Sequence, residues 1–179
     1  ETVITHWGMS GPAVLKLSAW GARELAERNY QFAVQVNWVG IANEADVNAA
    51  IEDAMPTVRK KKVVNACPFD LPKKFWAFLL GRADIGVDAA WHEPGKKAKN
   101  KLVNTLLNDV YKVRGKTTFK EEFVTCGGVV LNEVNFATMQ SRVVPGLYFA
   151  GEVLDTDGVT GGFNFQAAWT TGHVAGKLR

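Results

Sequence analysis

The sequence predicts a mixed α+β or α/β chain in which a β-rich leading piece carries a small helical subdomain and a strand, a Gly-rich loop and a helix close the chain. Three observations carry this: alternating residues at Gln31–Val36, helical apolar stripes between about residues 43 and 110, and the run from Pro145 to Trp169. A chain of 179 residues with 47% apolar and 11% aromatic content can bury a core, so disorder is excluded.

The opening residues, Glu1-Thr2-Val3-Ile4-Thr5-His6, read as a strand already in progress and without an initiator Met, so the chain is expected to be a fragment of something longer. Gly8-Met9-Ser10-Gly11-Pro12 then opens a helix, with Ser10 as the candidate N-cap and Pro12 in the first turn, where its missing N–H is no loss. The same words resemble a hydrolase nucleophile elbow only superficially, because GxSxG requires Gly where Pro12 stands. The helix is expected to reach about Arg28, with Val14, Leu17, Ser18, Gly21, Ala22 and Leu25 on one stripe. In the strand that follows, Phe32, Val34 and Val36 alternate with Gln31 and Gln35, which predicts one buried face.

From Asn43 the pattern is helical. Val47, Ala50, Ile51 and Ala54 share one face; Leu71-Pro72 starts a second helix bearing Phe75, Phe78 and Leu79; Val103, Leu106, Leu107 and Val110 mark a third. The net charge of +3, from 21 Lys plus Arg against 18 Asp plus Glu, is too small to imply nucleic-acid binding. Its distribution is uneven, however: Arg59, Lys60, Lys61 and Lys62, then Lys96, Lys97, Lys99 and Lys101, all lie in the helical segment. Such runs are ordinarily solvated helix faces; their functional alternative is contact with the phosphates of an RNA substrate. Extended structure is expected again at Thr117–Thr125, Val129–Leu131 and Leu147–Ala150, and a last helix at about Phe165–Leu178.

Cys67 and Cys126 lack CxxC spacing and read as reduced thiols, which points to the cytoplasm. No apolar run reaches the roughly 18 residues of a membrane helix, and no signal peptide is visible. His92-Glu93 has no second His at helical spacing, so no metal site is expected.

Chemistry concentrates near the end. Pro145-Gly146-Leu147-Tyr148-Phe149-Ala150-Gly151-Glu152 reads as a buried strand that stops sharply and leaves an acid at its carboxy end, where ligands of open α/β sheets sit and where an acceptor can hold a sugar-like hydroxyl. Gly161 and Gly162 allow backbone to approach a ligand, and the amides opening the next helix, around Phe163, Asn164, Phe165 and Gln166, suit an electron-rich edge. Asp155 and Asp157 are either ligand contacts or turn formers. His6 is either a proton donor to substrate or, more simply, a histidine satisfied by turn backbone.

The words Gly146-Leu147-Tyr148-Phe149-Ala150-Gly151-Glu152-Val153-Leu154-Asp155 and Gly158-Val159-Thr160-Gly161-Gly162-Phe163-Asn164-Phe165-Gln166 resemble the closing signature of the BaiN-like NAD(P)/FAD-dependent oxidoreductases. Thr125-Cys126-Gly127-Gly128-Val129, Thr138-Met139-Gln140-Ser141-Arg142 and Thr5-His6-Trp7-Gly8-Met9-Ser10-Gly11-Pro12-Ala13 extend the resemblance over nearly the whole chain, with Gln140 and Arg142 where the family has Glu and Lys. The resemblance implies a Rossmann-type FAD domain interrupted by an inserted β domain with its own helical subdomain. Residues 1–120 are then the insertion, with the helical subdomain at about 43–110, and 121–179 return to the FAD domain. Gly151, Glu152, Gly161, Gly162, Phe163, Asn164, Phe165 and Gln166 become the cofactor-binding residues.

No GxGxxG occurs here, so the pyrophosphate-binding half of the FAD site is expected elsewhere, and the isolated chain is expected to hold FAD weakly or not at all. The implied activity of the full protein is hydride transfer through FAD to an activated carbon–carbon double bond, with NAD(P)H as a possible reductant and a small molecule or RNA as substrate. The alternative is an RNA- or protein-binding module with no activity of its own.

Overall fold

A computed structural model describes residues 1–117 and 124–177 of the protein. In chain order the elements are β1 Val3–Ile4, β2 Met9–Ser10, α1 Pro12–Trp20, α2 Ala22–Glu27, β3 Gln31–Val36, α3 Glu44–Val58, α4 Lys73–Arg82, α5 Lys96–Asn108, β4 Asp109–Arg114, β5 Val134–Asn135, β6 Gln140–Ser141 and α6 Phe163–Ala175. The chain divides into two compact units, one formed by Glu1–Phe32 with Arg114–Arg179, the other by Ala33–Val113. The boundary expected near residue 120 lies outside the described residues, as does most of the extended stretch expected from Thr117 to Thr125. No described helix is long and apolar enough to cross a membrane.

The unit Ala33–Val113 is helical and holds the larger core. Most of β3 and β4 belongs to it and the two strands pair. Phe32, Val34 and Val36 are half-buried along β3 while Gln31, Ala33 and Gln35 face solvent, as the alternation predicts. Asn43 caps α3 by accepting the Asp46 amide at 2.9 Å, and Val47 and Ile51 carry the buried face of that helix. Phe78 of α4 is exposed whereas Trp76, Leu79 and Leu80 are buried. The third helical stripe ends sooner than expected: Val110 is exposed in β4, because the chain leaves helix at Asn108 and the spacing from Leu107 crosses that break.

At the centre of this core Trp76 and Trp91 are fully buried, their ring centroids 6.2 Å apart. A buried indole N–H needs an acceptor. Trp76 donates to the Val63 carbonyl at 2.9 Å and Trp91 to that of Ala66 at 2.8 Å, so the 3₁₀ turn Val63–Asn65 is gripped from both ends.

Asp109, 3% exposed at the start of β4, organises the other side. Its carboxylate accepts from Trp38 Nε1 at 3.0 Å, Arg82 Nη2 at 2.6 Å and the Tyr111 hydroxyl at 2.5 Å. Burial, then the bond to the Asp109 carboxylate and its charge, push the Tyr111 phenol far above its ordinary value of 10.0, while Arg82 pulls the other way.

The unit containing both ends of the described chain is less regular. β1 and β2 form a two-residue antiparallel ladder joined through Thr5, whose hydroxyl and amide both bond the Gly8 carbonyl. The cap of α1 is Gly11 and not Ser10, which lies in β2: at φ 93° Gly11 brings its backbone so close to Val3 that a Cβ would lie 2.9 Å from the Val3 nitrogen. Pro12 opens the helix as expected, but the single helix expected to reach Arg28 is broken at Gly21 into α1 and α2.

Val134 and Asn135 of β5 pair antiparallel with Ser141 and Gln140 of β6. The segment expected as a buried strand at Leu147–Ala150 lies beside β6, with Ser141 N–H to Leu147 O at 2.7 Å and Phe149 N–H to Met139 O at 3.0 Å. It forms one bridge, Gln140 to Tyr148, and Leu147 is exposed, so the stretch is neither a full strand nor buried along its length. Val129 forms a parallel bridge with Leu154, but the extended stretch expected at Val129–Leu131 is cut short, because a 3₁₀ turn begins at Leu131 and runs to Glu133. Gly128 makes the Val129 bridge possible: at φ 150° its position leaves no room for a side chain, since a Cβ would stand 2.6 Å from both the Leu154 carbonyl carbon and the Val153 oxygen.

Two stability measurements check these contacts. In chemical denaturation Gly128→Ala should cost about 3 kcal/mol, combining backbone strain with a collision against main chain that cannot yield. Gly127→Ala, with φ 108° and nothing within 4 Å of its Cβ, should cost only about 1–2 kcal/mol; equal costs would refute the close approach. For Tyr111, the folded-state value is raised, so above pH 10 the unfolded chain has released a proton that the folded chain retains, and stability should fall as pH rises. Tyr111→Phe should flatten the part of that loss owed to this residue; parallel pH profiles for the two proteins would contradict the bond to Asp109.

Candidate functional site

In the first unit the Gly-rich loop and α6 form one hydrogen-bonded assembly. Gly162 caps α6, and the first intrahelical bond runs from Gln166 N–H to Gly162 O at 2.9 Å. The amides of Phe163, Asn164 and Phe165 therefore precede the helical ladder and point from its positive end. Asn164 closes the loop on the helix: its Oδ1 accepts the Gly158 amide at 2.8 Å and its Nδ2 donates to the Gly158 carbonyl at 2.9 Å. Its side chain is thus a clamp on the loop.

The Gly151 turn is tied to the same helix. Gly151, at φ 81°, donates its amide to Thr171 Oγ1 at 2.9 Å, and that hydroxyl donates in turn to Ala167 O at 2.7 Å. Glu152 is exposed on the short 3₁₀ turn Gly151–Val153 and accepts the Thr125 amide at 3.1 Å. Gln166 is exposed and donates to Thr170 Oγ1 at 3.0 Å. Gly151, Glu152, Gly161, Gly162, Phe163, Asn164, Phe165 and Gln166 are in this way carried by one helix and the two turns bonded to it.

The surface of that assembly suits a flat, electron-rich group. Gly161 has φ 144°, which favours glycine, whereas Gly162 has φ −72° and nothing within 4 Å of an added Cβ, so the fold itself leaves that position open. Phe163, Phe165 and Trp169 are 70%, 66% and 70% exposed, and the last two stack at 6.1 Å. Open backbone, unbonded helix-start amides and exposed rings fit the edge and face of a flavin; a diphosphate-cradling GxGxxG loop is not in this sequence.

Asp155 has another role. Arg23 Nη2 reaches its two carboxylate oxygens at 2.6 and 2.8 Å, an ion pair joining α2 to the loop that no local sequence signal announces. Asp157 accepts from the Cys126 thiol, and this bond, more than burial, raises the thiol above its ordinary value. A cleft of ≈ 550 Å³ lies here, lined by Trp20, Arg23, Cys126, Asp157 and Val159 among others. His6 stands exposed in the β1–β2 turn with its ring 3.9 Å from that of Trp7, while Thr5 satisfies the turn backbone.

In the helical unit, Trp91 N–H bonds Lys61 O at 3.2 Å, Lys62 bridges Ala90, and His92 Nδ1 lies 3.1 Å from Arg59 O. α5 starts at Lys96, five residues beyond Trp91, which puts the first residue of the second run within about 18 Å of Trp91. Lys62 pairs with Asp88 and Lys101 with Asp84, each at 2.6 Å. Arg59, Lys60, Lys61, Lys96, Lys97 and Lys99 have no ion pair among the described residues.

Residues 16–178 match the HI0933-like protein Rossmann domain family. The chain is 31% identical over 170 residues to the ribosomal RNA dihydrouridine synthase of Escherichia coli K12, covering 94% of this chain and 40% of that protein. It is 31% identical over 176 residues to the protein of the same name from Haemophilus influenzae, covering 97% and 41%. To the 3-dehydro-bile acid delta(4,6)-reductase of Clostridium scindens it is 29% identical over 180 residues, covering 99% and 43%. The chain spans about two fifths of the length of these relatives. A match from Lys16 to Leu178, together with the 29% identity to the delta(4,6)-reductase, establishes that the chain belongs to the HI0933-like Rossmann-domain family of BaiN-like flavoprotein oxidoreductases.

Proposed function

We propose that the protein to which this chain belongs is a FAD-dependent reductase of an activated carbon–carbon double bond, and that its substrate is a uridine ring of ribosomal RNA. The observation that carries the substrate is the 31% identity, over 94% and 97% of the chain, to two proteins named ribosomal RNA dihydrouridine synthase. Their name and that of the delta(4,6)-reductase share one chemistry, addition of a hydride and a proton across C=C. FAD, when bound, would supply the hydride, and NAD(P)H is the proposed reductant.

In this reading residues 1–120 are the inserted domain, with the helical subdomain at about 43–110, and 121–179 complete the FAD domain. Gly161 and Gly162 admit the flavin edge, the amides of Phe163, Asn164 and Phe165 hold its electron-rich side, and Glu152 accepts a hydroxyl of the cofactor. The exposed rings of Phe163, Phe165 and Trp169 meet the rest of the FAD domain and the ring system. Arg59, Lys60, Lys61, Lys96, Lys97 and Lys99 supply phosphate contacts, with Lys62 and Lys101 held by their own carboxylates.

Gly162→Val in the full-length protein should lower bound FAD at least about tenfold, the equivalent of 1.4 kcal/mol, without loss of fold, because the position is sterically open until a ligand fills it. Unchanged flavin stoichiometry in the purified variant rejects the placement. Binding of ribosomal RNA fragments should weaken with salt, and reversal of Lys60 and Lys61 to Glu should flatten the log–log slope by about 1.4, at roughly 0.7 per contact on a single strand. A slope that survives the reversal shows these lysines to be solvated side chains; RNA binding that is absent altogether moves the substrate to a small molecule.

A further inference from the structure

We propose that Phe78 and Arg82 of α4 form a base-stacking platform for single-stranded RNA, an inference that rests on the RNA reading above and places an unstacked base on a named surface. Phe78 is 49% exposed, although Trp76, Leu79 and Leu80 on the same helix are fully buried. Among the described residues it is the one exposed phenyl or indole ring of the helical unit.

The ring is held, not loose. Phe75 stacks against Phe78 at 6.1 Å with an interplanar angle of 20°, and Phe75 is itself wedged on the edge of Trp38 at 4.6 Å. The Arg82 guanidinium lies 5.9 Å from the Phe78 centroid and 5.1 Å from that of Tyr111. Its Nη2 is fixed on buried Asp109, yet its side chain stays 40% exposed. An aromatic face and a guanidinium plane, both immobilised before any ligand arrives, are the two groups on which unpaired bases stack, and prior immobilisation lowers the entropic cost of binding.

Charge selects the partner. Lys73, Lys74 and Arg82 lie on α4, which contains no Asp or Glu. Lys73 and Lys74 occupy its first turn, where cations oppose the helix dipole, so the helix gains nothing from them. Lys74, Phe78 and Arg82 are spaced by four and therefore form one stripe along the helix: cation, ring, cation. That order matches a phosphate beside a base: Lys74 meets the phosphate, while the Phe78 ring and the Arg82 plane, whose charge Asp109 already balances, meet the base. In duplex RNA the base faces are stacked inside the helix and the platform has nothing to receive.

The test uses the full-length protein with an eight-nucleotide oligouridylate as single strand and an RNA duplex of equal length. Phe78→Ala should weaken oligouridylate binding about tenfold and leave the salt slope unchanged, since the ring carries no charge, while Phe78→Tyr restores affinity. Equal oligouridylate affinity in wild type and Phe78→Ala, with Lys60 and Lys61 still setting the salt slope, overturns the platform and leaves the RNA reading intact. Wild-type protein that binds neither RNA overturns both, and preference for the duplex overturns the platform alone. A protein partner lost from Phe78→Ala at unchanged RNA affinity assigns the ring to that partner and also overturns it.

Discussion

Asp109 puts a carboxylate into the interior of the helical unit, and a carboxylate there is stable only when donors replace the water it lost. The three donors come from three places in the chain: Trp38 after β3, Arg82 at the end of α4, and Tyr111 two residues along β4. Satisfying one side chain therefore fixes the end of β3 and the register of α4 against β4 at once. It also fixes the surface. Arg82 can lie over Tyr111 and beside Phe78 because its inner nitrogen is already held, so the exposed part of the guanidinium has a defined plane. A buried ionic group of this kind is better understood as specifying an arrangement than as adding net stability.

The Gly-rich loop follows the same logic with neutral groups. A loop leading into a helix start exposes amides and carbonyls that need partners. Asn164 meets both polar groups of Gly158, and Thr171 meets Gly151 while returning its own proton to Ala167. The bonds the loop needs are thus made behind it, by side chains of α6, and the amides of residues 163–165 stay available at the front. Gly128 performs the matching task for the chain arriving from Thr125, since only a residue without Cβ can lie against Val153–Asp155.

Periodic features were legible in the sequence because they depend on neighbours. The alternation of β3, the start of the helical pattern at Asn43 and the Val47 and Ile51 face of α3 all follow from residues within a few positions. Val110 shows the limit: a stripe at i and i+3 continues on paper across the point where the backbone changes from helix to strand. Ser10 is a good cap by type, yet the close approach of Gly11 to Val3 decides the matter, and that contact joins residues eight apart. Trp76, Arg23 and Asp109 act through partners 13, 132 and 71 residues away, which no local pattern records. The candidate site was legible where its words match a family, at Gly151–Glu152 and Gly161–Gln166; the clamping role of Asn164 was not, because an Asn after Gly-Gly can equally face a ligand.

The two units differ in how well they cover their own apolar surface. In the helical unit α3, α4 and α5 close around Trp76 and Trp91, leaving Phe78, Val87 and Val110 as its exposed large apolar side chains among the described residues. In the other unit, among the described residues, only Val134, Met139 and Leu154 form a buried cluster, while Trp7, Trp20, Phe136, Phe163, Phe165 and Trp169 are exposed. Single exposed apolar residues need no explanation, but rings grouped along one helix do. Three of them sit on α6, the element whose free amides face the same solvent, and the relatives of this chain are more than twice its length. A surface that combines open backbone donors with uncovered rings is poor as an outer wall and well suited as an inner one. On the proposed reading, that face of α6 is where the flavin lies, and its open amides and uncovered rings are what such a contact requires.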